Sequence, residues 1–168
     1  MDTIAVWFSS GAASAVAAHL TLLKYGKTSN VVILNNPVIE EDEDNLRFLK
    51  DVERWLDVPI EIIKNHKYPS CSAVDVWDKR QYMSGVSGAP CTLELKKNAR
   101  LQYEMDNDID WHVLGFTSEE VKRFNNFRDR ERSNTLPVLI DASTFRMQAL
   151  NHRGLMREGI LTQIVRAA

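Results

Sequence analysis

At 168 residues, with 44% apolar side chains, the chain is long enough to enclose one core and too short for two ordinary domains, so residues 1–168 read as a single domain. A formal charge of -2 excludes bulk attraction to a polyanion, although it leaves a local basic patch, and with it a nucleic-acid contact, open. Two cysteines, Cys71 and Cys91, with no CxxC and no His/Cys cluster, exclude a disulfide framework, a zinc site and an iron–sulfur centre.

Hydrophobic periodicity alternates along the chain. Ile4 to Phe8 is a short apolar run of strand type, followed by Ala13, Val16, Ala17, Leu20 and Leu23 at helical spacing until Gly26. Val31 to Leu34 is a second buried strand, and Leu46, Leu49, Val52 and Leu56 predict a helix that stops before Pro59. Pro59 to Lys64 reads as a third strand. The segment from Asn65 to Pro90 is rich in Ser, Gly and Pro and is expected to be irregular, with one short helix over Ala73 to Arg80.

A helix with a poorly defined apolar face follows from Thr92 to about Met105, and Trp111 to Leu114 is a fourth strand ending at Gly115. Thr117 and Glu120 have capping-box spacing and start another helix. Leu136 to Ile140 is expected as a fifth strand, with Ser143 or Thr144 capping a last helix and Gly154 closing it. Continuously apolar strands alternating with helices predict an α/β fold: a three-layer, Rossmann-like sandwich around a parallel sheet of about five strands. Such sheets bind ligands beyond the carboxyl ends of their strands, where strand order reverses.

The turn after the first strand is where chemistry concentrates. Ser9, Ser10, Gly11 and Ser14 place hydroxyls and closely approachable backbone at the start of a helix, whose unpaired N–H groups and dipole favour an anion, and phosphate is the expected guest. Small residues at that place also let a helix pack tightly on a strand, and the two roles are compatible. No Gly-Lys-Ser/Thr follows, which excludes a Walker loop, and G-x-G-x-x-G is absent.

"FSSGAAS" resembles the SGGxDS pyrophosphate loop of the PP-loop (adenine nucleotide alpha-hydrolase-like) superfamily, with Ser9, Gly11 and Ser14 in the matching places. "GAPCTLELKK" resembles the Cys-Thr-x-x-Leu-Lys segment of the phosphoadenosine phosphosulfate reductase family, and "LGFTSEEVKR" its Gly-x-x-x-x-Glu-x-x-Arg segment. "LPVLIDAS", with a later "GI" at Gly159 and Ile160, resembles that family's later half. The resemblance implies a PP-loop-type fold holding an adenine nucleotide, ATP or phosphoadenosine phosphosulfate. It implies phosphates on the Ser9 to Ser14 turn, Asn35 and Asn36 near the base or ribose, and Thr92, Lys96, Gly115 and Arg123 beside the ligand. Two departures stand out. Ala13 replaces the aspartate of SGGxDS, a carboxylate suited to a magnesium-bound pyrophosphate, and Ser10 replaces its first glycine; no cysteine follows Cys91, where the family's reductases carry a redox cysteine in a C-terminal tail.

Cys91, at the start of the helix that opens at Thr92 and about one turn before Lys96 and Lys97, is the candidate catalytic nucleophile; an inert helix-entry cysteine is the alternative. Cys71 is read as structural. Lys96, Lys97 and Arg100 recur at helical spacing, and Arg123, Arg128, Arg130 and Arg132 follow the fourth strand. Arg123 also fits the family block, whereas the intervening acids assign Arg128 to Arg132 to a solvated helix face. The acidic run Glu40 to Asp44 is placed at the start of the second helix by the helix dipole, and no metal site is expected there or at the scattered histidines.

Three functions stay open on this reading: an enzyme acting on an adenylyl-containing sulfur or nucleotide substrate; an ATP-dependent adenylation or thiolation enzyme for RNA, a base or a metabolite, for which magnesium would accompany ATP; and a non-catalytic nucleotide-binding or sequestering module. A small-molecule adenine nucleotide is the expected partner, and a homodimer is left open. With no basic and apolar leader and no membrane-length apolar run, the expected location is the cytoplasm, with no membrane partner.

Overall fold

A computed structural model describes residues 1–86 and 88–142. The expectations for Ser143 or Thr144, Gly154, His152, Gly159 and Ile160 lie outside the described residues.

Alternate side chains of the first strand are buried on opposite faces, and this sets the architecture. In β1 (Thr3–Trp7) and the residue after it, Ile4, Val6 and Phe8 belong to one apolar cluster and Ala5 and Trp7 to another. A strand apolar on both faces needs cover on both, hence three layers. The first cluster packs under α1 (Ala12–Tyr25) and α2 (Asp44–Leu56); the second is closed by α4 (Ala99–Asp106) through Ala99 and Tyr103. The sheet is completed by β2 (Asn30–Asn35), β3 (Ile60–Ile62), β4 (Trp111–Leu114) and β5 (Thr135–Leu136), all parallel, in the order β3-β2-β1-β4-β5. Val6 in the middle of β1 pairs with Ile33 on one side and Val113 on the other. The chain winds outward through β2 and β3, then returns to β4, so strand order reverses between β1 and β4. No helix among the described residues is long and apolar enough to cross a membrane.

Five local expectations are revised. The face α1 turns to the sheet is Ser14, Ala15, Ala17, Ala18 and Thr21, whereas Leu23 is 67% exposed. The small side chains let the helix settle close to the strands, and Thr21 returns its hydroxyl to the Ala17 carbonyl at 2.7 Å. In α2, Leu49 and Val52 are buried but Leu46 is 60% exposed, over a groove beside β2.

The third revision concerns β5, which ends after two residues. Pro137 cannot donate to a ladder, and its carbonyl accepts from the Asp141 amide at 2.8 Å, so residues 138–142 are helical rather than the rest of a strand. The fourth is the acidic run, which serves two helices. Glu40 caps α3 (Ala73–Arg80) by accepting from the Ala73 amide at 2.8 Å and from the Ser72 hydroxyl, while Asp42 accepts from the Asp44 amide at 2.9 Å at the start of α2. Its two acceptor oxygens are satisfied by amides and a hydroxyl, and among the described residues no cluster of metal-ligand type exists.

The helix expected from Thr92 begins at Pro90 and passes through a π-helical stretch, Thr92–Asn98, before continuing as α4. The wider ladder shifts side-chain register, which explains the blurred apolar face in the sequence: Glu94 and Leu95 are buried in adjacent positions and Ala99 follows them inward. Glu94 is sustained there by Arg80 and by Asn98 at 2.9 Å. Thr117 and Glu120 form the expected cap, the Thr117 amide donating to Glu120 Oε2 at 3.1 Å ahead of a 3-10 turn (Ser118–Glu120) and α5 (Val121–Arg130).

Candidate functional site

A cleft of ≈ 670 Å³ opens at the carboxyl ends of β1 and β4, the point of strand-order reversal. Its floor is the β1–α1 turn. Ser10 adopts a left-handed φ of 57°, which bends the chain away from the strand, and Gly11 returns to extended backbone at φ -116 before α1 begins. Ser14, buried under the turn, donates its hydroxyl to the Gly11 carbonyl at 2.8 Å and accepts from the Ser9 amide at 3.2 Å. One hydroxyl proton and a lone pair are thereby used inside the turn, so Ser14 shapes the loop. Asn35 does the same from β2: its buried amide donates to the Phe8 carbonyl at 2.8 Å and reaches Ser10 Oγ at 3.4 Å.

What these braces leave is backbone. Ala12, Ala13 and Ser14 have no carbonyl one turn earlier to bond, and among the described residues their amides donate to no other backbone group. Gly115, at the end of β4, presses against this same turn. A Cβ there would lie 2.6 Å from the Ser14 nitrogen and 2.9 Å from the Ala13 carbonyl carbon, so only glycine lets β4 approach the head of α1. Gly11 is different: a Cβ would meet nothing nearer than Ser9 Oγ at 3.8 Å. Its missing side chain keeps the cleft open and is not needed for packing.

Charge lines the rest. Lys96, Lys97, Arg100, Arg123 and Arg130 contribute five cations, against three carboxylates from Glu41, Glu120 and Glu131. Lys96 pairs with Glu41 at 2.7 Å, Lys97 with Glu131 at 2.7 Å and Arg123 with Glu120 at 2.6 Å, the last lying over the Phe116 ring. Arg100 and Arg130 have no carboxylate within ion-pairing distance among the described residues, so the excess positive charge resides on them. Arg100 lies over the Trp7 ring at 5.6 Å, and among the described residues its side chain makes one hydrogen bond, from Nε to the Lys96 carbonyl at 3.3 Å. Burial lowers its affinity for its proton, and the guanidinium stays charged.

The structure therefore brings Ser9, Gly11, Ser14, Asn36, Thr92, Lys96, Gly115 and Arg123 to one cleft. Asn36 also holds the Ile63 carbonyl at 3.1 Å. Ser10 and Asn35 face the other side of the turn, a groove of ≈ 700 Å³ with Val38, Ile39 and Leu46 on its walls. Cys91 is not part of the cleft wall; it packs with Val38 and Trp77 on the apolar cluster of Tyr68, Val76 and Leu95. Cys71 is buried, and burial pushes its thiol up, as suits a structural residue.

Arg100 and Arg130 were the residues underweighted by charge patterning. Arg100 follows Lys96 by four positions and so shares its side of the helix, which is a legible signal. Arg130 carries no such mark: it stands amid Arg128, which lies over Phe124, and Arg132, which pairs with Glu104 at 2.7 Å. No protein-family model matches the chain, and no curated protein matches it.

Proposed function

We propose that the chain binds an adenine nucleotide with its phosphates over the Ser9 to Ser14 turn. The observation that carries this reading is the coincidence, at the reversal point of a parallel sheet, of unbonded first-turn amides with a cleft holding five cations to three carboxylates. Lys96 and Arg123 would exchange their carboxylate partners for phosphate oxygens, and the groove of ≈ 700 Å³ beyond Ser10, with Val38, Ile39 and Leu46 on its walls, would take the base. The resemblance to the phosphoadenosine phosphosulfate reductase branch of the PP-loop superfamily supports the same assignment and suggests an adenylyl-containing sulfur or nucleotide substrate. A PP-loop enzyme that adenylates an acceptor would use the same phosphate site.

Cys91 bears on the reaction. With its side chain on an apolar cluster outside the cleft wall and Ala13 in place of an acidic residue, a second reading is favoured in which the nucleotide is held intact.

The test is a thermal-shift and calorimetric panel of AMP, ADP and ATP, with and without magnesium. A nucleotide at 100 times its Kd stabilises the native state by about 2.7 kcal/mol, roughly 5–10 °C for a chain of this size. Gly11→Leu is the decisive variant, because the structure has room for a side chain there: its melting temperature is expected to stay near that of the parent while the nucleotide shift disappears. An unchanged nucleotide shift in Gly11→Leu refutes the site, and a turnover unaffected by Cys91→Ser removes Cys91 from any catalytic role.

A further inference from the structure

Beside the phosphate cleft, and continuous with it past Arg100, lies a smaller pocket of ≈ 280 Å³ whose wall includes Trp7, Arg100, His112, Arg130 and Arg132. Its chemistry follows from one hydrogen bond. The Trp7 indole Nε1–H, which can only donate, reaches His112 Nδ1 at 3.1 Å. Nδ1 is therefore the acceptor nitrogen, and a neutral His112 carries its proton on Nε2. The imidazole is buried to within 3% of full, and burial holds it neutral by lowering its pKa, with Arg132 and Arg100 acting in the same direction against Glu104. Nε2–H lies 4.0 Å from Glu104 Oε1, too far for a hydrogen bond, and Glu104 is already engaged by Arg132 at 2.7 Å. His112, its tautomer fixed from behind, thus lines a pocket in which Lys97 pairs with Glu131 and Arg132 with Glu104, leaving Arg100 and Arg130 without a carboxylate within ion-pairing distance among the described residues.

We infer that this pocket receives an oxyanion group, sulfate, phosphate or carboxylate, in addition to the phosphate at the head of α1. Arg100 and Arg130 supply charge and directed N–H donors, and His112 supplies a neutral one. An oxyanion in the pocket would accept from His112 Nε2 and from the guanidiniums, and would offset the positive charge that Glu104 and Glu131 leave over. The inference deepens the nucleotide reading and rests on it for the first phosphate, though not for the anion site itself. Its ligand is either the far end of the same nucleotide or a separate acidic reactant.

The experiment is a titration of the full chain with sodium sulfate, ionic strength being held constant with sodium chloride, followed by the 1H–15N signal of the Trp7 indole, assigned with Trp7→Phe. Saturable movement of that signal is expected, with affinity at least tenfold weaker in Arg100→Gln and several-fold weaker in Arg130→Gln, an exposed position whose substitution leaves the fold unstrained. Arg128→Gln, over Phe124 and outside the pocket, serves as the control and is expected to bind as the parent does. Movement linear in sulfate and matched by chloride, or equal affinity in the Arg100 and Arg130 variants, overturns the inference. Repeating the titration with saturating AMP and with saturating ATP identifies the source. Sulfate binding that survives AMP but not ATP assigns the oxyanion to the nucleotide's far end; survival with both assigns it to a separate reactant; competition by AMP shows a single anion site and overturns the second one. Sulfate binding without any adenylate binding would overturn the nucleotide reading alone.

Discussion

Gly115→Ala is the substitution whose outcome follows most directly from the geometry. The added Cβ would stand 2.6 Å from the Ser14 nitrogen, 2.8 Å from Ser14 Cα and 2.9 Å from the Ala13 carbonyl carbon. These positions are roughly 1 Å inside the 3.5–4.0 Å of an unstrained contact, and all three neighbours are backbone, so no rotamer change relieves the overlap. Either the end of β4 or the first turn of α1 must withdraw. Overpacking in a close-packed interior costs about 1–3 kcal/mol, and a helix terminus tied through Ser14 to Ser9 and Gly11 belongs at the upper end of that range. For a chain of this length about 3 kcal/mol corresponds to a fall in Tm of roughly 6–12 °C. Circular-dichroism melts of Gly115→Ala and Gly11→Ala, compared side by side, are the assay, with Gly11→Ala expected to lose far less because its Cβ meets only Ser9 Oγ. A Gly115→Ala protein that melts within about 1 °C of the parent would refute the close approach of β4 to α1, and with it the geometry of the cleft floor.

Three further outcomes are expected. Ser10 holds φ 57°, so Ser10→Val should destabilise by about 1–2 kcal/mol while Ser10→Gly does not, measured by urea denaturation. Burial pushes the Glu94 carboxyl up, but its bonds to Arg80 and Asn98 bring it below the ordinary 4.5. The native state thus binds that proton less readily than the unfolded chain, and the stability it confers is present above pH 4.5 and lost as pH falls through the native value. Glu94→Gln should cost about 1.5 kcal/mol at neutral pH, at the low side because Arg80 is partly solvated, and should flatten that acid slope in urea melts. His112, held neutral mainly by burial, titrates below the 6.5 of an unfolded histidine, so unfolding free energy should decline as pH falls below 6.5. His112→Gln should remove that decline below pH 6.5.

Much of the fold was legible because it depends on local pattern. Val31 to Leu34 and Trp111 to Leu114 are apolar runs bounded by polar residues, and α3 coincides with Ala73–Arg80 because Ser72 caps it, accepting from the Asp75 amide at 3.2 Å. Misreadings came from effects that local pattern does not encode. The inward face of α1 is its smallest, not its greasiest, since closeness to the sheet outweighs side-chain size; the π-helical stretch displaces Glu94 and Leu95 from a 3.6-residue rhythm; and Pro137 ends β5 early. At the site, the loop residues were found through their type and spacing. The tasks of Ser14 and Asn35 as braces, the place of Cys91 outside the wall, and the pairing of Trp7 with His112 across 105 positions all depend on three-dimensional contacts.

Trp7 and Ser9 are separated on the chain only by Phe8, and β1 is the one strand of the five pinned by ladders to neighbours that are themselves both paired on their far sides. Both proposed anion sites border β1, the central strand of the described sheet, so their separation would be set by that strand. The protein would then act as a gauge, admitting molecules by the distance between their negative ends as much as by the identity of those ends.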